Sequence, residues 1–452
     1  MPEWFQKVFG VPETDANVKK FKLVNKGNKT LLKVPNGDRE YLVGEFTYDS
    51  LENLRRRAKY KAKIFLESNK NRLPFDNKLN VLNLDKIDVM TEMNDLVNED
   101  ACFQVASQTN CLEHPNENDG PEKGITKYKN DYTQGPACAI ATAPGTFYRN
   151  YLVMPGNKPQ EGNNQINTLV DLENAIDNSG DKYFSIKNGY IKMDASQKTE
   201  FERLLSENKY RTPEGFQKNF VDKIGVGIMS DTETVIGGKM NNMKFFGYLR
   251  KLEDKFLVNQ VFCSAINLDP TNGNTPNPDN IDIFARAILD AQYEATLWLA
   301  VLKAIKTGVN AVYLTLVGGG VFKNEYLWIK ESMEKAISAI HKIRFPLNIY
   351  IIHYRDVPDS MFYDLENMSY DFKRDKYIYY DANMNAQDDP DMNISLRELY
   401  RKIESNYGML DKLTKKVQKK ISEGDGNITF PYNQVKHLKM CKNGLEEMID
   451  ML

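Results

Sequence analysis

A buried strand that ends in three glycines constrains this chain more than any other feature. Residues 311–317 form an apolar run, Gly318-Gly319-Gly320 follow at once, and Asn324 is expected to begin the next helix as its N-cap. In a parallel sheet, ligands bind beyond the carboxyl ends of the strands. Glycines there let backbone N–H groups approach an oxyanion, and a helix N-terminus adds about half a positive charge. The pattern favours a diphosphate-binding loop, and the alternative is a turn that only packs helix against strand.

Strands and helices alternate around this loop. Apolar runs predict four strands, and amphipathic or apolar stretches predict two helices: residues 224–229, 258–265, 311–317 and 347–354 for the strands, and 283–307 and 324–342 for the helices. Alternation at these lengths is typical of βαβ units, and continuously apolar strands are typical of sheets covered on both faces. The sequence therefore predicts an α/β fold with a parallel or mixed sheet.

The remaining segments predict an insertion and a tail. Residues 50–66 predict a helix and 147–153 a strand, while 157–222 predict an inserted subdomain with a hairpin turning at Asn188-Gly189. We expect a core over 1–356, then a charged linker and a helical region over 357–452. The apolar stripe over 396–421 predicts an amphipathic helix with Ser395 and Glu398 as a capping box. That stripe either docks on the chain's own core or recruits a partner.

Composition excludes several function classes. Lys and Arg number 60 against 62 Asp and Glu, and this balance argues against a general nucleic-acid binder. No apolar run is long enough to predict a membrane span, and the N-terminus has no signal-peptide pattern. The 5 cysteines and 4 histidines fall in no metal-ligand or disulfide spacing, so we expect no metal, no cofactor and a reduced, cytoplasmic chain.

Polar residues follow another predicted strand, at residues 103–107. Gln108 and Asn110 could bond sugar hydroxyls, because amides donate and accept at once. After a long loop, Asp131 stands just before a possible helix start. It is either a catalytic carboxylate or a helix cap.

Two carboxylates share one face of the predicted helix at 283–307. Asp290 and Glu294 are four residues apart, with Arg286 one turn before them. Carboxylates on a largely apolar helix are costly unless they are paired or used in chemistry. The alternative is a solvent-facing stripe with an Arg286–Asp290 ion pair. Asp282, near the start of the helix, is better explained as a cap than as a catalyst.

Taken together, these segments resemble a known family. Five of them carry the resemblance: residues 103–110, 131–139, 148–151, 284–296 and 314–324. They resemble a divergent, MavL-type macrodomain-like family that is distantly related to poly(ADP-ribose) glycohydrolases. The resemblance spans about residues 4–354, more weakly over 157–222, and leaves out the tail. It implies a three-layer α/β/α core with ADP-ribose lying across the strand ends.

The resemblance also implies roles for single residues. Asn110 would contact the distal ribose, and Gln134 with Gly135 would belong to a first phosphate-side loop; Gly318-Gly319-Gly320-Val321-Phe322 would form the second. Lys323 stands where related sequences tend to have glycine. The glycohydrolase pattern of three glycines followed by Gln-Glu-Glu does not occur in this chain, so the poly(ADP-ribose) mechanism does not transfer directly.

The function that follows is hydrolysis of protein-linked ADP-ribose. Cleavage at the anomeric carbon passes through an oxocarbenium-like state and needs a carboxylate to handle water. The candidates, in falling order, are Asp290, Asp131, Glu294 and Asp282. The alternatives are an ADP-ribose reader without turnover and a scaffold that recruits a partner through its C-terminal helix. The partner is ADP-ribose or an ADP-ribosylated protein, and the resemblance allows a translocated effector that acts in a host cytosol.

Overall fold

The computed structural model describes residues 3–372 except 28, 36, 38, 70–72, 132, 242–243, 250–255 and 270–280, together with 393–395, 412–422 and 429–431. The described strands are, in chain order, β1 (Lys22–Lys26), β2 (Lys29–Lys33), β3 (Glu40–Leu42), β4 (Glu45–Ser50), β5 (Lys78–Leu84), β6 (Cys102–Ala106), β7 (Ser185–Lys187), β8 (Tyr190–Lys192), β9 (Gly225–Glu233), β10 (Ile236–Asn241), β11 (Lys244–Leu249), β12 (Leu257–Cys263), β13 (Ala311–Leu314), β14 (Asn348–Ile352), β15 (Tyr370–Asp371), β16 (Asn393–Ser395) and β17 (Thr429–Pro431).

Helices connect several of these strands. The described α-helices are α1 (Trp4–Phe9), α2 (Asp15–Val18), α3 (Leu51–Ser68), α4 (Val89–Asn94), α5 (Gln134–Ala141), α6 (Ala143–Tyr151), α7 (Val170–Ile176), α8 (Ala195–Leu205), α9 (Pro213–Asn219), α10 (Asp282–Thr307), α11 (Tyr326–Lys342) and α12 (Lys412–Ser422). The predicted helices at 283–307 and 324–342 correspond to α10 and α11.

An eight-stranded mixed sheet forms the centre, in the order β15-β5-β14-β13-β6-β12-β9-β4. Neighbouring strands from β5 to β12 run parallel, whereas β9, β4 and β15 pair antiparallel at the two sides. The carboxyl ends of five parallel strands therefore meet at one edge, which is where ligands bind in such sheets.

Successive side chains of the central strands point into two separate hydrophobic cores, as pleating requires. In β13, Val312 and Leu314 enter a core shared with α3, α10 and α11. Ala311 and Tyr313 enter a second core shared with α1, α5 and α6. The sheet thus lies between two layers of helices, and the predicted three-layer α/β/α class is confirmed.

The long helix α10 is buried on most of its circumference because it lies between the sheet and its neighbours α3 and α11. Of its 26 residues 17 are buried, as expected for a helix that is covered on most sides. It ends at Gly308, whose φ of 76° is the left-handed conformation that favours glycine at a helix C-terminus.

The inserted segment packs on α10 and not around a core of its own. Phe184, Phe201 and Phe220 surround Phe284 of α10, with ring centroids 5.0, 5.3 and 5.6 Å from it. The predicted hairpin is confirmed: β7 pairs with β8 across Asn188-Gly189, which both have positive φ. The domain boundaries drawn from the sequence stay predictions.

The predicted strand at 147–153 is wrong, because most of it belongs to helix α6. Aromatic residues there suggested β structure, but Pro144 occupies the first turn of the helix, a position that proline favours. Phe147 and Tyr151 are one helical turn apart and pack together, with ring centroids 4.9 Å apart. Tertiary packing has overridden local β preference.

The described part of the predicted C-terminal stripe is α12. Val417 is fully buried, and α12 lies near the 3-10 turn Leu96–Asn98 of the main body. Residues 396–411 lie outside the described part of the chain, so the capping box and the partner-recruiting alternative stay predictions. Among the helices that the structure describes, none is both long and apolar enough to cross a membrane.

Candidate active site

A cavity of about 590 Å³ opens at the carboxyl ends of the parallel strands. Segments that follow successive strands line it: residues 87–89 after β5, 106–108 after β6, 263 and 265 at β12, 315–322 after β13 and 352–356 at β14. The volume falls within the range of small-molecule sites. The topology therefore places one pocket where the glycine-ended strand predicted a ligand.

The loop at residues 318–322, which we name the glycine loop, forms one side of the cavity. Gly318 has a φ of 77°, and a Cβ there would lie 2.6 Å from the Cβ of Ala265, so only glycine fits. Within the described part of the chain, the backbone N–H groups of Gly318, Gly320, Val321 and Phe322 donate to no other group. Free amides on a concave loop suit an anion.

Asn324 does not cap the following helix, which corrects that prediction. Glu325 is the N-cap of α11, and the Asn324 side chain is buried instead behind the glycine loop. Its Nδ2 donates to the carbonyl oxygens of Ile266 at 2.9 Å and of Gly318 at 3.4 Å. Asn324 is not among the cavity-lining residues, so its observed contacts hold the loop. Lys323 has a φ of 57°, a left-handed conformation that favours glycine.

The two amides predicted to bond sugar hydroxyls differ in their placement. Gln108 lines the cavity, and its Nε2 donates to the hydroxyl of Tyr190 at 3.4 Å. Asn110 is buried away from the cavity: its Nδ2 donates to Gln165 at 2.8 Å, and its Oδ1 accepts from the Leu112 amide at 3.1 Å. The structure does not bring Asn110 to the ligand space, because the inserted hairpin covers it.

The first phosphate-side loop implied by the resemblance, Gln134 with Gly135, uses its side-chain hydrogen bonds within the protein. Gln134 lines the cavity, but its side chain accepts from the Ala106 amide and donates to the Gln104 carbonyl, both at 2.8 Å. Gly135 does not line the cavity. A Cβ on it would lie 2.0 Å from the Ala106 carbonyl oxygen, so this glycine lets α5 pack against the end of β6.

Asp131 lines the cavity and also bonds the residue that precedes the first turn of the next helix. Its Oδ1 accepts from the backbone amide of Thr133 at 2.9 Å, and Thr133 is the N-cap of α5. Both interpretations of this residue at the sequence level are therefore compatible with its position.

The carboxylates of α10 do not lie at the cavity. Asp290 accepts from Ser332 and Lys335 of α11, each at 2.6 Å, and Arg286 pairs with Glu331 of α11 rather than with Asp290. These are contacts between two helices, so the ion pair between Arg286 and Asp290 that the alternative interpretation predicted is wrong. Their partners come from a distant helix, which the spacing within α10 could not reveal.

Glu294 and Asp282 are also outside the cavity lining. Glu294 accepts from Arg55 of α3 at 2.6 Å and from the Trp298 indole at 2.8 Å. Asp282 is the first residue of α10, where a carboxylate favours the helix dipole. The structure thus separates three of the four predicted catalytic carboxylates from the glycine loop.

Glu113 is the cavity residue that sequence reasoning missed. It lines the cavity, is 2% exposed, and lies 3.4 Å from the guanidinium of buried Arg149 and 3.3 Å from the hydroxyl of Ser107. Burial raises its pKa from 4.5 to about 7, although Arg149 and Ser107 act to lower it. Its place in the sequence, seven residues after the end of β6, carried little signal, because its burial and its pairing with Arg149 arise only in the fold.

Other polar groups complete the lining. Arg355 is an exposed cation at the rim, and Asp88 caps α4 by accepting from the Met90 amide at 2.9 Å. His353 bonds Asn83 at 2.8 Å, and burial lowers its pKa to about 4, so its imidazole is neutral near pH 7. Within the described residues, no three His, Cys, Asp or Glu side chains are grouped to hold a metal ion.

No protein-family model matches this chain, and no curated protein matches it. Solved structures of poly(ADP-ribose) glycohydrolases resemble it. The enzyme from Deinococcus radiodurans in complex with ADP-ribose is 8% identical over 69% of this chain and 89% of that chain, with a TM-score of 0.34. The enzyme from Thermomonospora curvata is 11% identical over 71% of this chain and 84% of that chain, with a TM-score of 0.33. Likeness at this level decides neither fold nor activity, so function must follow from the site.

Proposed function

We propose that this chain binds ADP-ribose in the strand-end cavity and hydrolyses the bond that joins ADP-ribose to a protein side chain. The observation that carries the proposal is the glycine loop, which lines a cavity beyond the ends of five parallel strands and has four backbone amides that donate to no group in the described chain. Such amides hold phosphate oxygens with no side chain in the way.

The rest of the cavity suits the other parts of the ligand. Val89, Val317, Tyr326 and Ile352 offer apolar surface to a purine or to the faces of a ribose. Gln108 offers an amide to sugar hydroxyls, and its Oε1 is buried without a hydrogen-bond partner in the described chain. Arg355 at the rim adds a positive charge toward a diphosphate.

Hydrolysis is favoured over binding alone because carboxyl groups reach the same cavity. Glu113 and Asp131 both line it, and cleavage at an anomeric carbon needs a carboxyl group to move protons. The motif resemblance to macrodomain-like proteins points to the same ligand.

Calorimetric titration with ADP-ribose tests the binding step, with AMP and ribose 5-phosphate as matched partial ligands. Saturable binding that needs the whole ADP-ribose is expected, since the diphosphate and both sugars contribute. The hydrolysis step is tested by incubating the chain with proteins modified at serine, arginine or glutamate and measuring released ADP-ribose. Binding without release from any of them would leave a reader, and no binding at millimolar ligand would remove the proposal.

A further inference from the structure

One carboxyl group in the cavity has an incomplete set of partners. Glu113 Oε1 lies 3.3 Å from the Ser107 hydroxyl and 3.4 Å from Arg149. Its Oε2 is buried and has no hydrogen-bond partner in the described part of the chain. Glu113 nevertheless lines the cavity, so the residue that carries this unpartnered oxygen is part of the cavity wall.

The Glu113–Arg149 pair differs from an ion pair that only stabilises a fold, because both of its members keep an atom without a partner. Arg149 is fully buried; its Nε donates to the Cys111 carbonyl at 2.9 Å, and its guanidinium lies 4.0 Å from the centre of the Phe262 ring. Its second terminal nitrogen, Nη1, also lacks a partner. Buried pairs stabilise a fold only when the remaining lone pairs and protons are satisfied, and this pair leaves both members incomplete.

The surroundings hold this group between its two protonation states near neutral pH. The pKa of Glu113 is raised to about 7. Burial is the largest cause, and the charge of Asp131 acts in the same direction. Arg149 and Ser107 act in the opposite direction. The remaining titratable side chains that interact with it, Tyr128, Cys111 and Cys138, all have pKa values raised by burial and are uncharged at pH 7.

We propose that Glu113 is the acid–base residue of this cavity, and the proposal rests on the hydrolase function above. As the bond between the ribose anomeric carbon and the side-chain atom breaks, the carboxylic acid donates its proton to the departing atom. A water oxygen then bonds to the anomeric carbon and gives a proton to the Glu113 carboxylate. The acid is restored, and the products are ADP-ribose and the free side chain.

The other titratable groups of the cavity fit this task less well. The Asp131 carboxylate is already engaged by the Thr133 amide. His353 is neutral near pH 7 and so has no readily available proton. Arg149 acts as a positioning residue, because it lies 3.4 Å from Oε1 of the carboxyl group and leaves Oε2 without a partner in the described chain.

The test compares Glu113→Gln with Glu233→Gln, which makes the same change at a buried glutamate that bonds the Leu42 amide outside the cavity. We expect Glu113→Gln to keep its ADP-ribose affinity within a few-fold and to lower kcat by about 10²–10⁴-fold. Glu233→Gln should retain turnover. A substrate with a phenol leaving group of low pKa needs no proton, so the same Glu113→Gln protein should cleave it far closer to the wild-type rate.

Equal loss on good and poor leaving groups would overturn the acid–base role while leaving the hydrolase proposal intact. Wild-type protein that binds ADP-ribose but cleaves neither substrate would overturn both. If Glu113→Gln fails to fold, the wild-type pH profile decides. With the poor leaving group, kcat should fall as the pH rises through about 7, the pKa of this acid, and a flat profile there would exclude Glu113.

Discussion

Two sides of the cavity use their polar groups in opposite ways. On the glycine loop, four backbone amides point to no partner in the described chain, and the loop is held from behind by Asn324. On the side that we name the acid side, formed by Ser107, Glu113 and Gln134, most polar atoms are bonded within the protein. The exception is Oε2 of Glu113, which has no hydrogen-bond partner in the described chain.

In the proposed function, the glycine loop would hold the ligand and the acid side would supply the reacting group. Open amides bind charge that the ligand brings, and they need no titration to do so. A reactive group needs a controlled proton affinity, which a rigid and buried setting supplies. The two sides follow adjacent strands, β13 and β6, so one ligand can contact both.

The largest expected effect comes from removing the charge behind the acid side. Arg149→Met should lower the free energy of unfolding by about 3–5 kcal/mol, because it leaves a buried carboxyl group without its counter-charge. Urea denaturation at pH 8 measures this. Arg286→Met is the matched control, since it breaks a half-exposed pair with Glu331 and should cost about 1 kcal/mol or less. Similar losses in both would mean that burial of the Glu113–Arg149 pair has no energetic consequence.

Next comes a change in the glycine loop. Gly318→Ala forces a side chain into a left-handed residue against Ala265 and should cost about 1–3 kcal/mol of stability, with a loss of ADP-ribose affinity. Gly320→Ala is the control for stability, since its Cβ would meet no atom within 4 Å. Thermal unfolding and calorimetry measure the two effects. A Gly318→Ala protein that binds as wild type would separate the loop conformation from binding.

A more gradual effect is the pH dependence of stability that Glu113 contributes. Its pKa is raised from 4.5 to about 7 in the folded protein, so the folded state binds more protons than the unfolded chain between those values. The free energy of unfolding due to this group is therefore greatest below pH 4.5 and falls as the pH rises toward 7. The slope is at most about 1.4 kcal/mol per pH unit. Subtracting the Glu113→Gln curve from that of wild type isolates it, and a difference that rises with pH would contradict the assignment.

The smallest effect on stability and turnover is expected from a substitution at Asp290, which lies outside the cavity. Asp290→Asn keeps a group that can accept from Ser332 and weakens only a partly exposed pair with Lys335, so it should cost about 1 kcal/mol or less. Turnover and ADP-ribose affinity should change little. Loss of turnover with unchanged affinity would restore the catalytic role that the sequence predicts for Asp290.

The sequence predictions that the structure confirms, the central strands and the hairpin, rest on hydrophobic patterns and on turn residues. Continuous apolar runs identified the central strands, and Asn188-Gly189 identified the hairpin, because these signals are local. The wrong strand prediction at residues 147–153 also relied on a local signal, the aromatic residues after Pro144. The helix there is stabilised by packing between Phe147, Tyr151 and more distant rings, which a local pattern does not show.

The choice among carboxylates could not be made from the sequence. Asp290 and Glu294 look alike by spacing, yet the ion partner of Glu294 is 239 residues away at Arg55, and that of Asp290 is on a separate helix. Glu113 gave no periodic signal, and its importance depends on burial and on Arg149, which is 36 residues further along the chain. Charge partners and solvent access are properties of the assembled fold.

The hairpin of the inserted segment has a consequence for how this pocket can be altered. Tyr190 of β8 lines the cavity, its hydroxyl donates to the His114 carbonyl at 2.7 Å, and its ring centroid lies 5.9 Å from that of Phe322 in the glycine loop. Part of the pocket is thus supplied by a module outside the central sheet. Exchanging that hairpin offers a route to alter the cavity wall without redesigning the scaffold that carries the glycine loop.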